Sequence, residues 1–559
     1  MTDGPPRPVP MPDFVRVAAV SDLADGEMRQ VSAGGTDVLL ARVDGEFHAC
    51  TAFCTHYGAP LATGVLDGTT VVCPWHHAEF DVASGALCQP PALDALRTFP
   101  VRVDGDAVMV QVPDDADAHG KGVDYRESDG AKPEMTGLGA DEDDRLFLIL
   151  GAGAAGQACA EELRASGYRG RVALVTRETH TPYDRTKLSK GYLAGDAGDD
   201  ALRLRDGSFY EAHGIETWTD RTVTAVDPDA RTVSFEGGTD ETYDAALVAT
   251  GGVPRRLDLP GADLDGVLLL RSWADAREIV KRAGGARAVA VVGTSFIGME
   301  SAAHLNADDR DVTVIGRDST PFETVLGPEV GAVFQRAAQD NGIAFRMGAD
   351  VQRIETVIPE PDDGGPRRLR VVLAEGGPVE ADLVVMGVGV TPATDFLEGA
   401  PFRRDDGGLV VDETLRAVPG LFAAGDVAAF PGPDGETVRI EHWRLAQQHG
   451  RTAARNMLVD ADPTALPHRF DGVPYFWSGQ NGLSLRYVGH AQDWDEVAVD
   501  GSLDERQFLA AYVKDGRVLA VAAVGRDKDA AAIQRLMARG ETPTPDDIRS
   551  GADLQARLS

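Results

Sequence analysis

The sequence predicts a multidomain protein: a small all-β domain, then two α/β domains of the dinucleotide-binding class, then a C-terminal α+β interface domain. The length of 559 residues corresponds to three or four domains at roughly 150 residues each. Short β-rich runs separated by Gly and Asp turns occupy residues 14–112. From Leu146 to about Ala461 the pattern changes to repeated units of strand, glycine turn and helix.

Composition and charge exclude several classes of protein. Hydrophobic residues make up 43% of the chain and charged residues 26%, which is ordinary globular composition. The net charge of −35 excludes nucleic acid and anionic lipid as partners. It indicates either an acidic docking face for a basic partner or adaptation to a salty environment. The sequence shows no signal peptide and no apolar run of about 18 residues, which predicts a cytoplasmic protein without a membrane span.

Four metal-ligating side chains lie close together in the β-rich region: Cys54, His56, Cys73 and His76. Two Cys and two His suit either zinc or a [2Fe–2S] cluster. A Cys-x-His pair places both ligands on one tight loop with side chains diverging to two metal atoms, whereas zinc sites typically pair Cys with Cys and His with His at wider spacing. The segments CTHYGAPL and CPWHHAEFD resemble the two cluster-binding loops of the Rieske family. This resemblance implies a [2Fe–2S] cluster held by these four residues.

Other residues of the two loops refine the resemblance. Ala59 and Trp75 stand where respiratory-chain Rieske proteins carry an additional pair of cysteines, so the chain is more similar to the ferredoxin-type and oxygenase-type members. His77 stands where the family usually has glycine, and we expect its side chain to crowd the loop. We expect the two imidazoles at the exposed tip of the domain. We interpret Cys50 and Cys88 as small buried hydrophobic residues rather than as a functional pair.

A glycine-rich turn at the start of the α/β region has the G-x-G-x-x-G pattern of a dinucleotide site in a Rossmann-like domain. Gly151 permits the tight turn, Gly153 the approach of a pyrophosphate, and Gly156 close contact of helix and strand. The phosphates are expected at the helix N-terminus, where Ala154 and Ala155 lie. Glu178 follows the next predicted strand, 172–175, and is the candidate for the ribose hydroxyls.

A second turn of this kind begins at Gly293, with Ser295 in place of the middle glycine and Gly298 as the third. The strand predicted at 312–315 is followed by Arg317 and Asp318. An arginine here accepts a 2′-phosphate, whereas an aspartate binds ribose hydroxyls, so the choice between NADH and NADPH stays open with a slight preference for NADH.

Two tandem dinucleotide folds followed by an apolar strand and Gly425-Asp426 resemble the FAD-dependent pyridine nucleotide oxidoreductases. The segment PYDRTKLSK at 182–190 resembles the signature of ferredoxin reductases and apoptosis-inducing-factor-like proteins. The segments 249–252 and 387–392 resemble the two crossings between the FAD and NAD(P) domains. Matching these relatives residue by residue implies further cofactor-binding positions: Arg185, Lys190, Val223, Thr250, Gly251, Arg255, Phe296, Ile297, Glu300, Gly389, Asp426, Glu441, His442, Trp443 and Trp477. For the aromatic residues, simple core packing is an equal alternative.

The order of modules resembles the Rieske-containing apoptosis-inducing-factor-like proteins. This implies an NAD(P)H-dependent FAD oxidoreductase that passes electrons through its own Rieske centre to an unidentified acceptor, for which a protein is one candidate. The alternative is a redox-sensing binding protein with incidental NAD(P)H oxidase activity. The sequence does not fix the oligomeric state, and a homodimer is one alternative.

The predicted boundaries follow these changes of pattern. The Rieske domain is expected at 1–112 and an acidic flexible linker at 113–144. The FAD-binding domain is expected in two parts, 145–262 and 387–462, around an NAD(P)-binding domain at 263–386. The C-terminal domain is expected at 463–559.

Overall fold

A computed structural model describes residues 13–113, 143–306, 310–357, 368–432, 435–461 and 464–558. Apart from its end residues, the linker predicted at 113–144 lies outside these ranges. The chain divides into two compact units. The first unit combines residues 13–113 with two C-terminal segments, 526–543 and 551–558. The second unit contains the described residues from 143 to 525 together with 544–550.

The N-terminal part of the first unit is built from antiparallel strands. A four-stranded sheet has the order Met28–Ala33, Thr36–Val43, Glu46–Thr51 and Thr98–Phe99. A three-stranded sheet has the order Val15–Ala19, Ala107–Val110 and Val101–Asp104. A second four-stranded sheet has the order Val65–Asp67, Thr70–Val72, Glu79–Asp81 and Leu87–Gln89. The β-rich runs at 14–20, 36–43, 70–73 and 107–112, from which the sequence predicts strands, each contain one of these strands, and the bounds agree within two residues.

Two hydrophobic cores stabilise these sheets. One contains Leu39, Val71 and Phe80 and also includes the buried cysteines 50, 54 and 73. The other lies around Val38, Leu40 and Val108. Cys88 is exposed, so the prediction that it is a buried small residue is wrong, whereas Cys50 is buried as predicted. Residue 88 lies in the short strand Leu87–Gln89 at the edge of its sheet, where few neighbours cover it.

Two mainly parallel sheets form the centre of the second unit. The first has the order Ile215–Trp218, Arg171–Val175, Leu146–Leu150, Ala245–Val248, Leu421–Ala423 and Arg416–Val418. The second has the order Val267–Leu269, Leu383–Met386, Ala288–Val292, Asp311–Ile315 and Ala344–Arg346. The strand Leu146–Leu150 is buried along its whole length, as is typical of a parallel strand covered on both faces.

A five-stranded antiparallel sheet follows near the C-terminal end, in the order Tyr475–Gln480, Leu483–Gly489, Arg517–Val524, Gln507–Lys514 and Glu496–Ser502. The unit also contains three small three-stranded sheets. The first consists of Val223–Asp227, Thr232–Phe235 and Thr239–Thr242, and the second of Val351–Val357, Arg368–Leu373 and Val379–Ala381. The third consists of Leu409–Val410, Ala428–Pro431 and Thr437–Val438. The two predicted crossing segments contribute Gly252–Pro254 and Val390–Pro392, which pair antiparallel as a two-stranded sheet.

Eight α-helices occur in the described residues. In chain order they are α1 (Ala154–Ala165), α2 (Gly207–Ala212), α3 (Trp273–Ala283), α4 (Phe296–Leu305), α5 (Glu323–Asp340), α6 (Trp443–Ala461), α7 (Asp527–Ala538) and α8 (Pro545–Arg549). Shorter helical turns lie at Val20–Asp22, Leu61–Thr63, Arg185–Lys187, Leu188–Tyr192, Asp199–Leu202, Asp395–Leu397, Gly425–Val427 and Gln555–Arg557. No helix within the described ranges is both long and apolar enough to span a bilayer.

This architecture confirms the predicted fold class of an all-β domain, two α/β dinucleotide-binding domains and a C-terminal domain with a β-sheet and helices. The sequence did not indicate that α7 belongs to the same compact unit as the N-terminal β-domain.

Candidate cluster and dinucleotide sites

The two predicted cluster loops share one backbone hydrogen-bond pattern. In the first loop, the Cys54 N–H donates to the carbonyl of Ala59 at 2.9 Å, and the Gly58 N–H donates to the carbonyl of Cys54 at 2.9 Å. In the second loop, the Cys73 N–H donates to the carbonyl of Ala78 at 2.8 Å, and the His77 N–H donates to that of Cys73 at 3.1 Å. The two loops are therefore structural repeats, and each places one cysteine at its base.

His77 takes the position in the second loop that Gly58 takes in the first. Gly58 has a φ of 72° and His77 has a φ of 57°, so both are in the left-handed region. That conformation is unstrained for glycine and uncommon for a residue with a side chain. The turn requires a left-handed backbone at this position, which gives a physical reason why glycine is usual there. His77 adopts this backbone conformation, and its side chain is buried.

The four predicted cluster ligands form two adjacent pairs. The thiols of Cys54 and Cys73 are in hydrogen-bond contact, and these residues are 0% and 1% exposed. The Nδ1 atoms of His56 and His76 lie 3.0 Å apart. The described ranges contain no group of three or more Cys, His, Asp or Glu side chains arranged around a single metal ion. Two thiols on one side and two imidazoles on the other fit the donor set of a Rieske centre, with one pair for each iron.

The imidazoles are less buried than the thiols, but they do not form an exposed tip. His56 is half-buried and stacks on the ring of Tyr57 at 3.8 Å, while His76 is only 9% exposed. Trp75 lies edge-on to His76 at 6.4 Å. The expectation of an exposed tip is therefore wrong for His76, because neighbouring side chains cover it.

The first glycine turn connects the strand Leu146–Leu150 to α1. Gly151 has a φ of 119°, and a Cβ there would lie 2.2 Å from the carbonyl oxygen of Ala249. A Cβ on Gly156 would lie 1.8 Å from the carbonyl oxygen of Gly151. Around Gly153 no atom lies within 4 Å of such a Cβ. The space beside Gly153 at the N-terminus of α1 is therefore free of protein atoms, as the approach of a pyrophosphate requires, while Ala154 and Ala155 are buried.

Several predicted FAD positions meet in one polar network. Glu178 forms an ion pair with Arg185 and accepts a hydrogen bond from the hydroxyl of Tyr183 at 2.7 Å. Burial alone would raise the pKa of Glu178, but the charge of Arg185 and these hydrogen bonds outweigh it and lower that pKa below its ordinary value. Glu178 is thus a carboxylate at neutral pH, as an acceptor for ribose hydroxyls needs to be.

Arg271 belongs to the same network and was not identified from the sequence. Its Nη2 lies 2.7 Å from Oδ2 of Asp426, and its carbonyl oxygen accepts a hydrogen bond from Arg185 at 3.0 Å. A Cβ on Gly251 would lie 3.1 Å from the same Arg271 nitrogen, so the glycine leaves room beside it. The sequence feature that could have identified Arg271 is its position at the end of an apolar run, directly before Ser272, which caps α3. Thr250 lies next to this group and donates a hydrogen bond to the carbonyl of Ala393 at 2.8 Å.

A second network joins the two dinucleotide domains. Nζ of Lys190 lies 2.8 Å from Oε2 of Glu300, which also accepts a hydrogen bond from the hydroxyl of Ser189. The hydroxyl of Ser478 donates to the other Glu300 oxygen at 2.7 Å. Glu300 is 2% exposed, and a buried carboxylate needs polar partners. These three contacts compensate its charge. The structure thus brings together Lys190 and Glu300, two predicted cofactor-binding residues that are 110 positions apart.

The helix that carries Glu300 and the strand that carries Ser478 also carry aromatic rings that contact one another. Phe296 stacks on Phe322 at 4.4 Å and lies 4.8 Å from Phe476. His442 lies 4.6 Å from Phe476. Burial, and then the charge of His490, lowers the pKa of His442 to about 3, so its imidazole is neutral at pH 7. Burial, and then the charge of Asp426, raises the pKa of the neighbouring Glu441.

The second glycine turn precedes α4. Gly293 has a φ of 114°, and a Cβ there would lie 2.2 Å from the carbonyl oxygen of Gly387. Ser295 caps α4: its hydroxyl accepts from the Gly298 N–H at 3.4 Å and donates to the carbonyl of Gly387 at 2.8 Å. Arg317 and Asp318 follow the strand Asp311–Ile315, the first exposed and the second half-buried.

The remaining predicted positions are less closely connected to these networks. The N–H of Arg255 donates to the carbonyl of Gly389 at 2.9 Å, which joins the two crossing segments. Val223 and Trp443 pack against the core of the six-stranded sheet. Trp477 lies in the strand Tyr475–Gln480, 6.1 Å from the ring of Tyr475, and Ile297 is 43% exposed on α4.

Three family matches cover most of the chain. The family described as pyridine nucleotide-disulphide oxidoreductase matches residues 146–450, the Rieske [2Fe-2S] domain matches 13–100, and the reductase C-terminal domain matches 475–558. They agree with the cluster loops, the two glycine turns and the C-terminal sheet described above.

Full-length relatives and a solved structure agree with these matches. Apoptosis-inducing factor 3 of Homo sapiens is 38% identical over 543 residues, which are 96% of this chain and 86% of that protein. The 5,5'-dehydrodivanillate O-demethylase ferredoxin reductase subunit of a Sphingobium species is 34% identical over 68% of this chain and 90% of that protein. A crystal structure of a ferredoxin reductase from Rhodopseudomonas palustris has a TM-score of 0.68 at 32% identity, covering 75% of this chain and 100% of the other.

These comparisons confirm the predicted cofactors, which are FAD, a Rieske-type [2Fe–2S] cluster, and NADH or NADPH as substrate. The chain therefore belongs to the pyridine nucleotide-disulphide oxidoreductase family, as an NAD(P)H-dependent flavoprotein of the ferredoxin reductase type fused to a Rieske domain.

Proposed function

We propose that this reductase delivers electrons from NAD(P)H to the Rieske centre of its own chain, and from there to a protein acceptor. The observation that carries this proposal is the presence of both cluster loops and both glycine turns in a single chain. When bound, FAD accepts hydride from NAD(P)H, and the [2Fe–2S] cluster carries single electrons. The residues of the chain bind these groups, orient them and supply the charges around them.

The first glycine turn and the network around Arg271 would hold FAD. The N-terminus of α1 offers free N–H groups to the pyrophosphate beside Gly153. Glu178 would bind hydroxyls of the ribose, and Asp426, which pairs with Arg271, would bind a hydroxyl of the ribityl chain. Ion pairs orient both carboxylates before the cofactor binds, which lowers the entropy that binding costs.

The pair of Lys190 and Glu300 would orient the flavin against the nicotinamide. The ammonium of Lys190 is fixed by a carboxylate that is itself held by Ser478 and Ser189. A cation held in a nearly buried place can donate a hydrogen bond without reorganisation, which is how preorganised sites stabilise developing negative charge. His442 beside the ring of Phe476 is neutral at pH 7, so it adds no positive charge there.

Cys54, Cys73, His56 and His76 would ligate the cluster, the cysteines at one iron and the histidines at the other. The acceptor is proposed to be a protein because one relative is named as the ferredoxin reductase subunit of an O-demethylase. The domain boundaries, the homodimer and the cytoplasmic location stay predictions. NADH is the preferred nucleotide in this proposal, since Asp318 follows the strand Asp311–Ile315.

An anaerobic titration with NADH and NADPH tests the proposal. Flavin absorbance is expected to decrease first, and a paramagnetic signal from the reduced cluster is expected to follow without any added reductant. His76→Ala should remove that signal and stop turnover with a Rieske-dependent acceptor, while hydride transfer to flavin keeps its rate. His48→Ala, a change of the same type in the same domain, should affect neither step.

If turnover with the acceptor survives in His76→Ala, electrons leave the flavin directly and the proposed route is wrong. A wild-type chain that oxidises NAD(P)H slowly with every acceptor, and forms a dimer only on reduction, would instead support a redox-sensing binding protein.

A further inference from the structure

Helix α7 is bound to the Rieske domain by a compact set of ion pairs within the first unit. Nε and Nη2 of Arg535 lie 2.8 and 2.7 Å from Oδ2 of Asp67, and Nη1 of the same guanidinium lies 2.9 Å from Oε2 of Glu79. Arg539 pairs with the other oxygen of Asp67. Gln534 donates a hydrogen bond to the other oxygen of Glu79 at 3.0 Å. One guanidinium thus joins two carboxylates, and each of their four oxygens has a partner on α7 or on Arg539, the residue that follows the helix.

These contacts differ from ordinary surface ion pairs because the acids are buried. The side chains of Asp67 and Glu79 are 4% and 5% exposed, and that of Arg535 is 20% exposed. Exposed pairs contribute little, but a buried carboxylate left without its partner is strongly unfavourable. The sequence alone gave no reason to connect these residues, which are 468 positions apart in the case of Arg535 and Asp67.

The two acids lie on the sheet that carries the second cluster loop. Asp67 ends the strand Val65–Asp67 and Glu79 begins the strand Glu79–Asp81. Between them in the sheet lies Thr70–Val72, which leads directly into Cys73. Helix α7 therefore binds the part of the domain from which Cys73 and His76 project.

The chain enters α7 directly from the reductase. The strand Arg517–Val524 of the five-stranded sheet ends only three positions before α7 begins at Asp527. The Rieske domain is consequently joined to the reductase through the segment 113–144 and, at a second place, through the ion pairs of α7. We propose that Arg535 and Arg539 are positioning residues: they hold the Rieske domain to the C-terminal end of the reductase and thereby set the rate at which electrons reach the cluster.

This inference rests on the proposed flow of electrons from flavin to cluster. A domain joined to its partner only through the covalent chain has an effective concentration on the order of millimolar and must find its docked position in each cycle. A domain bound at a second place avoids much of that search. Losing the ion pairs should therefore slow electron delivery by about tenfold or more, since orientation of reacting groups contributes at least that much.

The test is a stopped-flow experiment on the full-length holoprotein, mixed anaerobically with NADH or NADPH, whichever reduces the flavin faster. In R535Q/R539Q the flavin phase should keep its wild-type rate, and the cluster phase should be slower by about tenfold or more. The cluster's paramagnetic signal and its reduction potential should be unchanged, because none of its ligands is altered. R535K, which keeps a charge but cannot join both acids, should be intermediate. K528Q removes one charge from an exposed position of the same helix and should behave as wild type.

An unchanged cluster phase in R535Q/R539Q overturns the inference and leaves the proposed function intact. A wild-type cluster that NAD(P)H does not reduce overturns the proposed function itself. If the double variant loses its cluster, the single variant R539Q replaces it in the test. The side chain of Arg539 is 36% exposed and pairs with Asp67 but not with Glu79, so its loss disturbs the fold less. A cluster phase at the wild-type rate in R539Q and R535K then overturns the inference, and a slower one supports it.

Discussion

The two glycine turns of the reductase have similar backbones, and of the three glycine positions of the motif they differ only at the middle one. In both, the first glycine has a φ near +115° and lies against the carbonyl of the residue that directly follows the neighbouring strand: Gly151 against Ala249, and Gly293 against Gly387. In both, a Cβ on the third glycine would collide with the carbonyl of the first. At the middle position the first turn has Gly153, with open space around it, and the second has Ser295.

This difference separates what the fold requires from what the ligand requires. The outer glycines are required by the protein's own backbone, so they recur in both turns. The middle glycine meets no protein atom, so only a ligand that approaches the backbone gives a reason for it. Ser295 uses the same position to cap α4 and to bind the carbonyl of Gly387, which indicates a less close approach of the second nucleotide.

The largest effect is expected at the third glycine. In Gly156→Ala the new Cβ would lie 1.8 Å from the Gly151 oxygen, and backbone cannot move aside easily. Overpacking of this kind typically costs about 3 kcal/mol at its upper range. Urea unfolding of the apoprotein and the FAD content of the purified protein measure it. Gly298→Ala should be milder, since its Cβ would lie 2.5 Å from the Gly293 oxygen, and equal effects would contradict this ranking.

A substitution of the middle glycine should weaken cofactor binding rather than the stability of the fold. Gly153→Ala places a methyl group where the pyrophosphate is expected, so the affinity for FAD should fall by about tenfold or more, equivalent to about 1.4 kcal/mol. The unfolding free energy of the apoprotein should change by less than about 1 kcal/mol. Titration of apoprotein with FAD provides the measurement. An unchanged dissociation constant would show that Gly153 does not face the cofactor.

The nucleotide preference of the second turn should depend on Asp318. Its carboxylate would repel a 2′-phosphate that Arg317 could otherwise bind as a planar fork. Asp318→Ala should shift the ratio of kcat/KM values toward NADPH, by about tenfold for each 1.4 kcal/mol of repulsion removed. Asp311→Ala, which removes the same charge from the exposed start of the same strand, is the control. Equal ratios in both variants would show that Asp318 does not contact the ribose.

The smallest effect is expected at Ser295. Ser295→Ala removes a helix cap and should lower the unfolding free energy by about 1 kcal/mol. Ser295→Gly, which makes the second turn like the first, should cost only about a few tenths of a kcal/mol. Thermal unfolding of the two variants distinguishes them. If alanine is tolerated as well as glycine, the hydroxyl does not stabilise α4.

Sequence reasoning succeeded where the chemistry lies within a short segment. The four cluster-ligand candidates and both glycine turns were found because each motif spans about ten residues and its backbone geometry follows from local residue types. It failed for Arg271, because a single arginine after an apolar run has no motif around it. It also failed for the exposure of Cys88 and of His76, because exposure depends on which distant side chains cover a residue.

By itself, the sequence determined the fold class, the order of modules and the chemical identity of the candidate ligands. Tertiary structure decided which charged residues meet. Lys190 and Glu300 are 110 positions apart, and Arg271 and Asp426 are 155 apart. The pairing of Arg535 with Asp67 and Glu79 joins opposite ends of the chain. The reason is physical: a glycine turn or a Cys-x-His loop is specified by backbone conformation over a few residues, whereas a buried ion pair forms only where the packing of distant elements removes water from both charges.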